Sequence, residues 1–186
     1  MTRSHGALKG LAAALVVATA GFAMNAAAAL PEGAKAPNFE LKGGMAGKPM
    51  TFSLKKALKN GPVVLYFFPA AFTSGCTVEA HDFAEATDQF KALGATVIGV
   101  TAGNADRVVE FSSVECRDKF PVAADPGAKI ATKYDTTMGE GDKKISDRTS
   151  FVIAPNGKIL LSYTDKNPDT HIQKTMDAVK TWHDAK

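Results

Sequence analysis

Residues 63–68 (VVLYFF) form a continuous β-branched and aromatic run. That is the pattern of a strand buried on both faces, not one alternating between core and solvent. Pro69 is expected to end it. Residues 77–93 predict a helix, because Phe83, Thr87, Phe90 and Leu93 recur at helical spacing. Residues 96–100 (TVIGV) predict a second buried strand. Asn104 is a candidate cap for a helix over 105–116. Asp125-Pro126 places proline at a first helical position and opens a short helix to Tyr134. Residues 151–153 and 159–163 flank Pro155-Asn156-Gly157, an Asn-Gly hairpin signal. Ile172, Met176, Val179 and Trp182 make one apolar stripe on a closing helix, read as core packing. Upstream, residues 31–60 read as an extension, with turns at Gly43-Gly44 and Gly47 and a short helix over 53–59.

Strand, helix, strand, helix, hairpin and closing helix predict an α/β fold, a mixed central sheet covered by helices. Its order resembles the thioredoxin architecture, carried behind an N-terminal extension. The 186 residues leave room for one ordinary domain. Residues 1–29 are set apart from it. Arg3 and Lys9 form a basic start, residues 11–24 are apolar and Ala-rich, and 25–29 close in small residues, the layout of a secretory signal peptide. The domain then runs over 30–186. An uncleaved anchor is the competing reading, but Thr19, Gly21 and Asn25 interrupt the run, and a spanning helix wants about 20 predominantly apolar residues. The expected localisation is exported, periplasmic, with no stable membrane association after cleavage.

Of the overall +3 charge, the leader carries two basic residues and no acidic one, so the remainder stands at +1. A near-neutral domain gives no electrostatic reason to expect nucleic acid as a partner. Two cysteines, Cys76 and Cys116, remain. In an exported protein the plain reading is one structural disulfide.

Residues 69–76 (PAAFTSGC) join a buried strand to a helix, the crevice in which open α/β sheets bind ligands. A cysteine in that first turn meets unpaired N–H groups and the positive helix end, both of which favour thiolate. Thr73 lies within reach of the sulfur through its hydroxyl, and Gly75 permits close backbone approach. Helical phase places 76, 79, 83, 86 and 90 on one inward side. Glu79 therefore points into the core near Cys76, where a carboxyl needs a partner or a proton. His81 falls with Glu85 and Asp88 on the solvated side and reads as a surface residue.

PAAFTSGC followed by TVEAHDF resembles the active-site segment of peroxiredoxins, Pro-x-x-x-Thr-x-x-Cys. The flanking VVLYFFP and CTVEA are most similar to the branch that includes bacterioferritin comigratory protein. The likeness covers nearly all of 31–186, through GAKAPNFEL, FPVAADPGAKIATKYD and RTSFVIAPNGKI. It implies that Cys76 is the peroxide-reducing cysteine, that Thr73 hydrogen-bonds sulfur and peroxide, and that Pro69 shields the pocket. It further implies that Arg148 faces the sulfur and that Glu79 occupies a position often Glu or Gln. Ser74 stands where the branch often has Pro, which changes loop rigidity more than chemistry. No cofactor or metal is implied. The partners implied are a peroxide, hydrogen peroxide or organic, and an external thiol reductant, thioredoxin-like or another dithiol donor. The expected assembly is a monomer or weak dimer.

A free thiol near pKa 8.5 is only a few per cent thiolate at pH 7. Lowering it to about 6 raises that fraction roughly thirty-fold, while nucleophilicity falls roughly ten- to eighteen-fold. The net gain is a few-fold, so positioning and charge stabilisation must supply the rest.

A sulfenic acid left on Cys76 must meet a second thiol. The branch's commonest resolving position, five residues on, is His81 here. Cys116, on the next helix, is a candidate resolving cysteine; an inert buried thiol and a structural disulfide stay open. A thiol–disulfide oxidoreductase would want Cys-x-x-Cys, but Thr77-Val78-Glu79 follows Cys76. A metal-delivery protein would want paired cysteines with a nearby histidine. A non-catalytic domain stapled by Cys76 and Cys116 would leave Thr73, Glu79 and Arg148 without a reason to be together.

Overall fold

The computed structural model describes Met1, Thr2 and residues 29–185. The leader expected over 1–29 lies almost wholly outside the described residues.

The apolar run becomes β3 (Val63–Ala70), and 96–100 grows into β4 (Thr96–Gly103), paired parallel with it. The hairpin is β8 (Thr149–Ile153) and β9 (Ile159–Thr164), with β8 antiparallel to β3. Gly157 takes φ +81° in its turn, a conformation that glycine tolerates and other residues resist. The extension is more ordered than expected. It forms β1 (Glu40–Met45) and β2 (Lys48–Ser53), joined by a tight turn with Ala46 and Gly47 both at positive φ. Gly43 and Gly44 are not turns. A Cβ on Gly43 would lie 2.1 Å from the Val122 oxygen, and one on Gly44 would lie 2.5 Å from Val109 Cα. These glycines let β1 pair with β5 (Val122–Ala124) under a helix.

The sheet thus has seven strands in the order β2-β1-β5-β4-β3-β8-β9. Val64, Tyr66 and Phe68 face one layer, packed against α2 (Ser74–Ala92), α3 (Val108–Val114) and α5 (Asp169–Asp184). Val63, Leu65 and Phe67 face the other, with Leu54 of α1 (Leu54–Ala57) and Ile130 of α4 (Lys129–Lys133). Both faces are covered, which is why 63–68 shows no alternation.

Several element ends differ from expectation. β3 continues through Pro69, because its pairing with β8 has already stopped at Phe67 and no N–H is needed there. The helix expected over 105–116 is a 3₁₀ turn, Ala105–Arg107, followed by α3. Asn104 does not cap it: it sits at φ +51° and donates its amide to the Ala71 carbonyl, 2.8 Å away. Pro126 lies outside α4, yet Asp125 does act as a cap. Its buried carboxylate accepts the N–H groups of Ile130 and Ala131 at 2.9–3.0 Å. Asp125→Ala leaves those donors buried and unpaired. It is expected to cost about 1–3 kcal/mol, read as a lower urea midpoint with an unchanged slope.

Candidate active site

Cys76 stands in the first turn of α2, which begins at Ser74, three residues earlier than the apolar spacing indicates. Thr73 holds the cap position but makes no capping bond. The first N–H groups of the helix therefore have no intrahelical acceptor, and the positive helix end faces the sulfur. The inward phase holds throughout: Cys76, Glu79, Phe83, Ala86 and Phe90 are all buried.

Arg148 enters from the turn before β8. Its Nη2 donates to Cys76 Sγ at 3.4 Å, and its Nη1 donates to Glu79 Oε2 in a very short contact. Gly75 makes room for this. A Cβ there would lie 3.2 Å from Arg148 Nη2, so the glycine admits the guanidinium. Glu79 is fully buried. Desolvation pushes its carboxyl up to about 8, with Arg148 pulling the other way. Arg148 remains a cation, since burial works against its charge while Glu79 and Cys76 favour it. The sulfur thus meets one fixed donor that carries full positive charge.

Thr73 is exposed and does not bond the sulfur. Its hydroxyl donates to the Ala70 carbonyl at 3.0 Å. Pro69 is half-buried at the end of β3, where its carbonyl accepts from the Thr101 hydroxyl. Phe72, at φ +61°, packs edge-on against Phe111 beneath the Arg107 guanidinium.

Cys116 is fully buried just past α3, and both cysteines are free thiols. Burial, then the neighbouring Glu115 charge, raises the Cys116 thiol well above its ordinary range. The chain around it is tied to α2 by a hydrogen bond between His81 and Glu115 at 2.8 Å and by two ion pairs, Glu85–Arg117 and Asp88–Lys119, each at 3.0 Å. The solvated face that includes His81 therefore docks the Cys116 segment. The two exposed pairs, Glu85–Arg117 and Asp88–Lys119, hold weakly, and Arg117 and Asp118 both sit at positive φ.

Sequence reasoning missed a further layer. His171 on α5 is fully buried. Its Nδ1 lies 2.8 Å from Ser150 Oγ and 3.8 Å from Glu79 Oε1, and its Nε2 lies 2.9 Å from the Asp165 carbonyl oxygen. A signal existed. Residues 171, 175 and 179 share a helical side, and all three are buried. The stripe read from sequence does pack on the core, through Ile172, Met176 and Val179, but it passes over His171 and Thr175 beside it.

A buried cysteine at a helix N-terminus, with an arginine donating to its sulfur on a thioredoxin-like sheet, defines a thiol-based oxidoreductase. Comparison with known proteins narrows this. Residues 33–162 match the AhpC/TSA family. Chloroplastic peroxiredoxin Q of Sedum lineare is 28% identical over 155 residues, 83% of this chain and 80% of that protein. The Arabidopsis thaliana chloroplastic peroxiredoxin Q is 34% identical over 150 residues, 80% of this chain and 67% of that one. The crystal structure of peroxidoxin BcpB from Mycobacterium tuberculosis superposes with a TM-score of 0.71 at 30% identity, covering 81% of this chain and 96% of that one. The chain belongs to the AhpC/TSA family, within its peroxiredoxin Q and bacterioferritin-comigratory branch, and is a thiol-dependent peroxidase.

Proposed function

We propose that the chain reduces hydrogen peroxide and organic hydroperoxides at Cys76 and that Cys116 resolves the product. The observation that carries this is the Arg148 Nη2 donor 3.4 Å from Cys76 Sγ, held in place by Glu79.

The thiolate of Cys76 attacks the terminal peroxide oxygen. The S–O bond forms as the O–O bond breaks, the sulfur is oxidised to sulfenic acid, and the departing alkoxide takes a proton to leave as alcohol or water. Arg148 orients the sulfur and offers positive charge to the departing oxygen. Thr73 spends its O–H on a hydrogen bond to the Ala70 carbonyl, so its lone pairs are free to accept the peroxide O–H. Pro69, at the strand end, shields the pocket. Cys116 then condenses with the sulfenic acid, releasing water and forming a disulfide that an external dithiol reduces. That step needs the Cα atoms within about 7 Å, reached by local unfolding of the first turn of α2 and of the weakly pinned Cys116 segment. An exported location, periplasmic as the leader pattern suggests, means that the thiol donor is itself exported or relayed through a membrane. The protein acts as a monomer or weak dimer.

The test is intact mass of the reduced protein, quenched soon after one equivalent of hydrogen peroxide. The expected result is that Cys76 is consumed far faster than free cysteine, with loss of two hydrogens. Gain of one oxygen in their place would make an outside thiol the resolver. Reaction no faster than free cysteine would sink the peroxidase assignment for Cys76 and favour a binding domain.

A further inference from the structure

Three contacts fix how the Cys116 segment lies on α2. Glu115 meets His81, Arg117 meets Glu85 and Lys119 meets Asp88. Numbers rise together on both sides, so the segment runs alongside the helix in the helix's own direction, with Cys116 level with residues 81–85. At 1.5 Å of rise per residue, Cys76 lies roughly 8–13 Å further back along the axis. His81 stands between the two cysteines on this scale, beyond the first turn of α2. Helical side chains lean towards the helix N-terminus, so the imidazole leans to the Cys76 side.

The His81 ring is fixed at one nitrogen and free at the other. Its Nε2 lies 2.8 Å from Glu115 Oε2. A carboxylate can only accept, so Nε2 carries the hydrogen and Nδ1 keeps its lone pair. No other described residue bonds the ring, and the side chain is 34% exposed. A carboxylate that holds one nitrogen and leaves the other open is the arrangement by which an imidazole serves as a general base.

Cys116 needs such a base. Burial, then the Glu115 charge, raises its thiol well above the ordinary range, while only the thiolate attacks. The other charged groups around His81 are Asp82 beside it, Asp169 facing Asp82 from α5, and the Glu85–Arg117 and Asp88–Lys119 pairs further along the helix. Both cations are engaged by carboxylates. Of this set the imidazole is the group suited to take up a proton near neutral pH.

We propose that His81, oriented by Glu115, is the general base of the disulfide step. This deepens the assignment of Cys116 as the resolving cysteine and rests on it. When the first turn of α2 opens and the Cys116 segment moves, Nδ1 takes the Cys116 thiol proton. The thiolate electron pair forms the S–S bond at the Cys76 sulfur as the S–O bond of the sulfenic acid breaks. The departing hydroxide takes the proton from the imidazolium and leaves as water, and the imidazole returns to its starting form.

The test follows the intact mass of wild type, His81→Gln and His81→Ala at successive times after one equivalent of hydrogen peroxide. All three are expected to lose the reduced form equally fast, because His81 has no part in the first step, and equal rates there also show that the variants fold. Both variants are expected to accumulate the species with one added oxygen and to form the disulfide about 10²-fold more slowly than wild type. Added imidazole is expected to restore the His81→Ala rate in proportion to its concentration. The His81→Gln rate is expected to climb more steeply with pH than wild type, as hydroxide replaces the lost base. A fastening role alone predicts the opposite sign, since removing the imidazole would free the segment and speed the disulfide. Disulfide formation as fast as in wild type or faster, a loss that imidazole does not relieve, or equal slowing of both steps overturns the proposal. A wild-type chain that stops at the added oxygen refutes the resolving role of Cys116 and this proposal with it, whereas a wild-type disulfide with unaffected variants refutes the proposal and leaves Cys116 as the resolver.

Discussion

Arg148→Ala is expected to lower the rate of peroxide reduction about 10²- to 10³-fold, the range found when one preorganised donor to a developing oxyanion is removed. Loss of thiolate accounts for only part of this. A more basic sulfur is less ionised but a better nucleophile, and the two effects largely cancel. What does not cancel is the donor at 3.4 Å from the sulfur. The check is to compare peroxide and iodoacetamide rates at alkaline pH, where the sulfur of both proteins is ionised. A peroxide deficit of about thirtyfold or more is expected to persist there, with alkylation restored. Equal losses in the two rates would assign Arg148 to thiolate stabilisation alone. The variant is expected to fold at neutral pH. Glu79 loses its cation but can hold its proton, so a buried unpaired carboxylate, costing about 3–5 kcal/mol, is avoided until the pH rises.

The central strands and the place of Cys76 at the start of a helix were legible in the sequence because each follows from a local rule. β3 shows an unbroken apolar run because helices cover both sheet faces. The phase of α2 alone placed Glu79 inward, with Phe83 and Phe90 marking the side. Arg148 came from the motif: nothing within its own segment says that it reaches a sulfur 72 residues away. The extension was misread because Gly43-Gly44 carries two meanings, turn or close approach. Only the distances to Val122 and Val109 decide between them. β5, three residues long, is too short to show a period. Thr73 lies three residues before the sulfur, yet its hydroxyl turns to the Ala70 carbonyl at the end of β3. His171 was passed over because polar residues are discounted when an apolar stripe is drawn. His171 and Thr175 lie beside the apolar stripe of Met176 and Val179, and all four are buried.

Glu79→Gln is expected to raise stability relative to wild type progressively as pH increases. The folded-state pKa of Glu79 is raised from 4.5 to about 8, chiefly by desolvation. A raised value means that the protonated form is the one the fold favours. Its contribution is fully present below 4.5 and is lost as pH climbs through about 8. Glutamine does not titrate and keeps a carbonyl oxygen for Arg148. It therefore copies the protonated carboxyl and escapes the loss. The difference in unfolding free energy should be small near pH 5 and grow to a few kcal/mol near pH 8, since each tenfold change in proton affinity between the folded and unfolded chain is worth about 1.4 kcal/mol. Urea denaturation of both proteins at matched pH values reads it directly. Peroxide reduction by the variant should stay within about threefold of wild type near pH 6, because a neutral glutamine stands in for the protonated carboxyl and leaves the Arg148 charge to the sulfur and the departing oxygen. A constant stability difference across pH would mean that Glu79 is ionised throughout as the standing partner of Arg148. A large loss of activity near pH 6 would mean that the carboxylate itself is needed there.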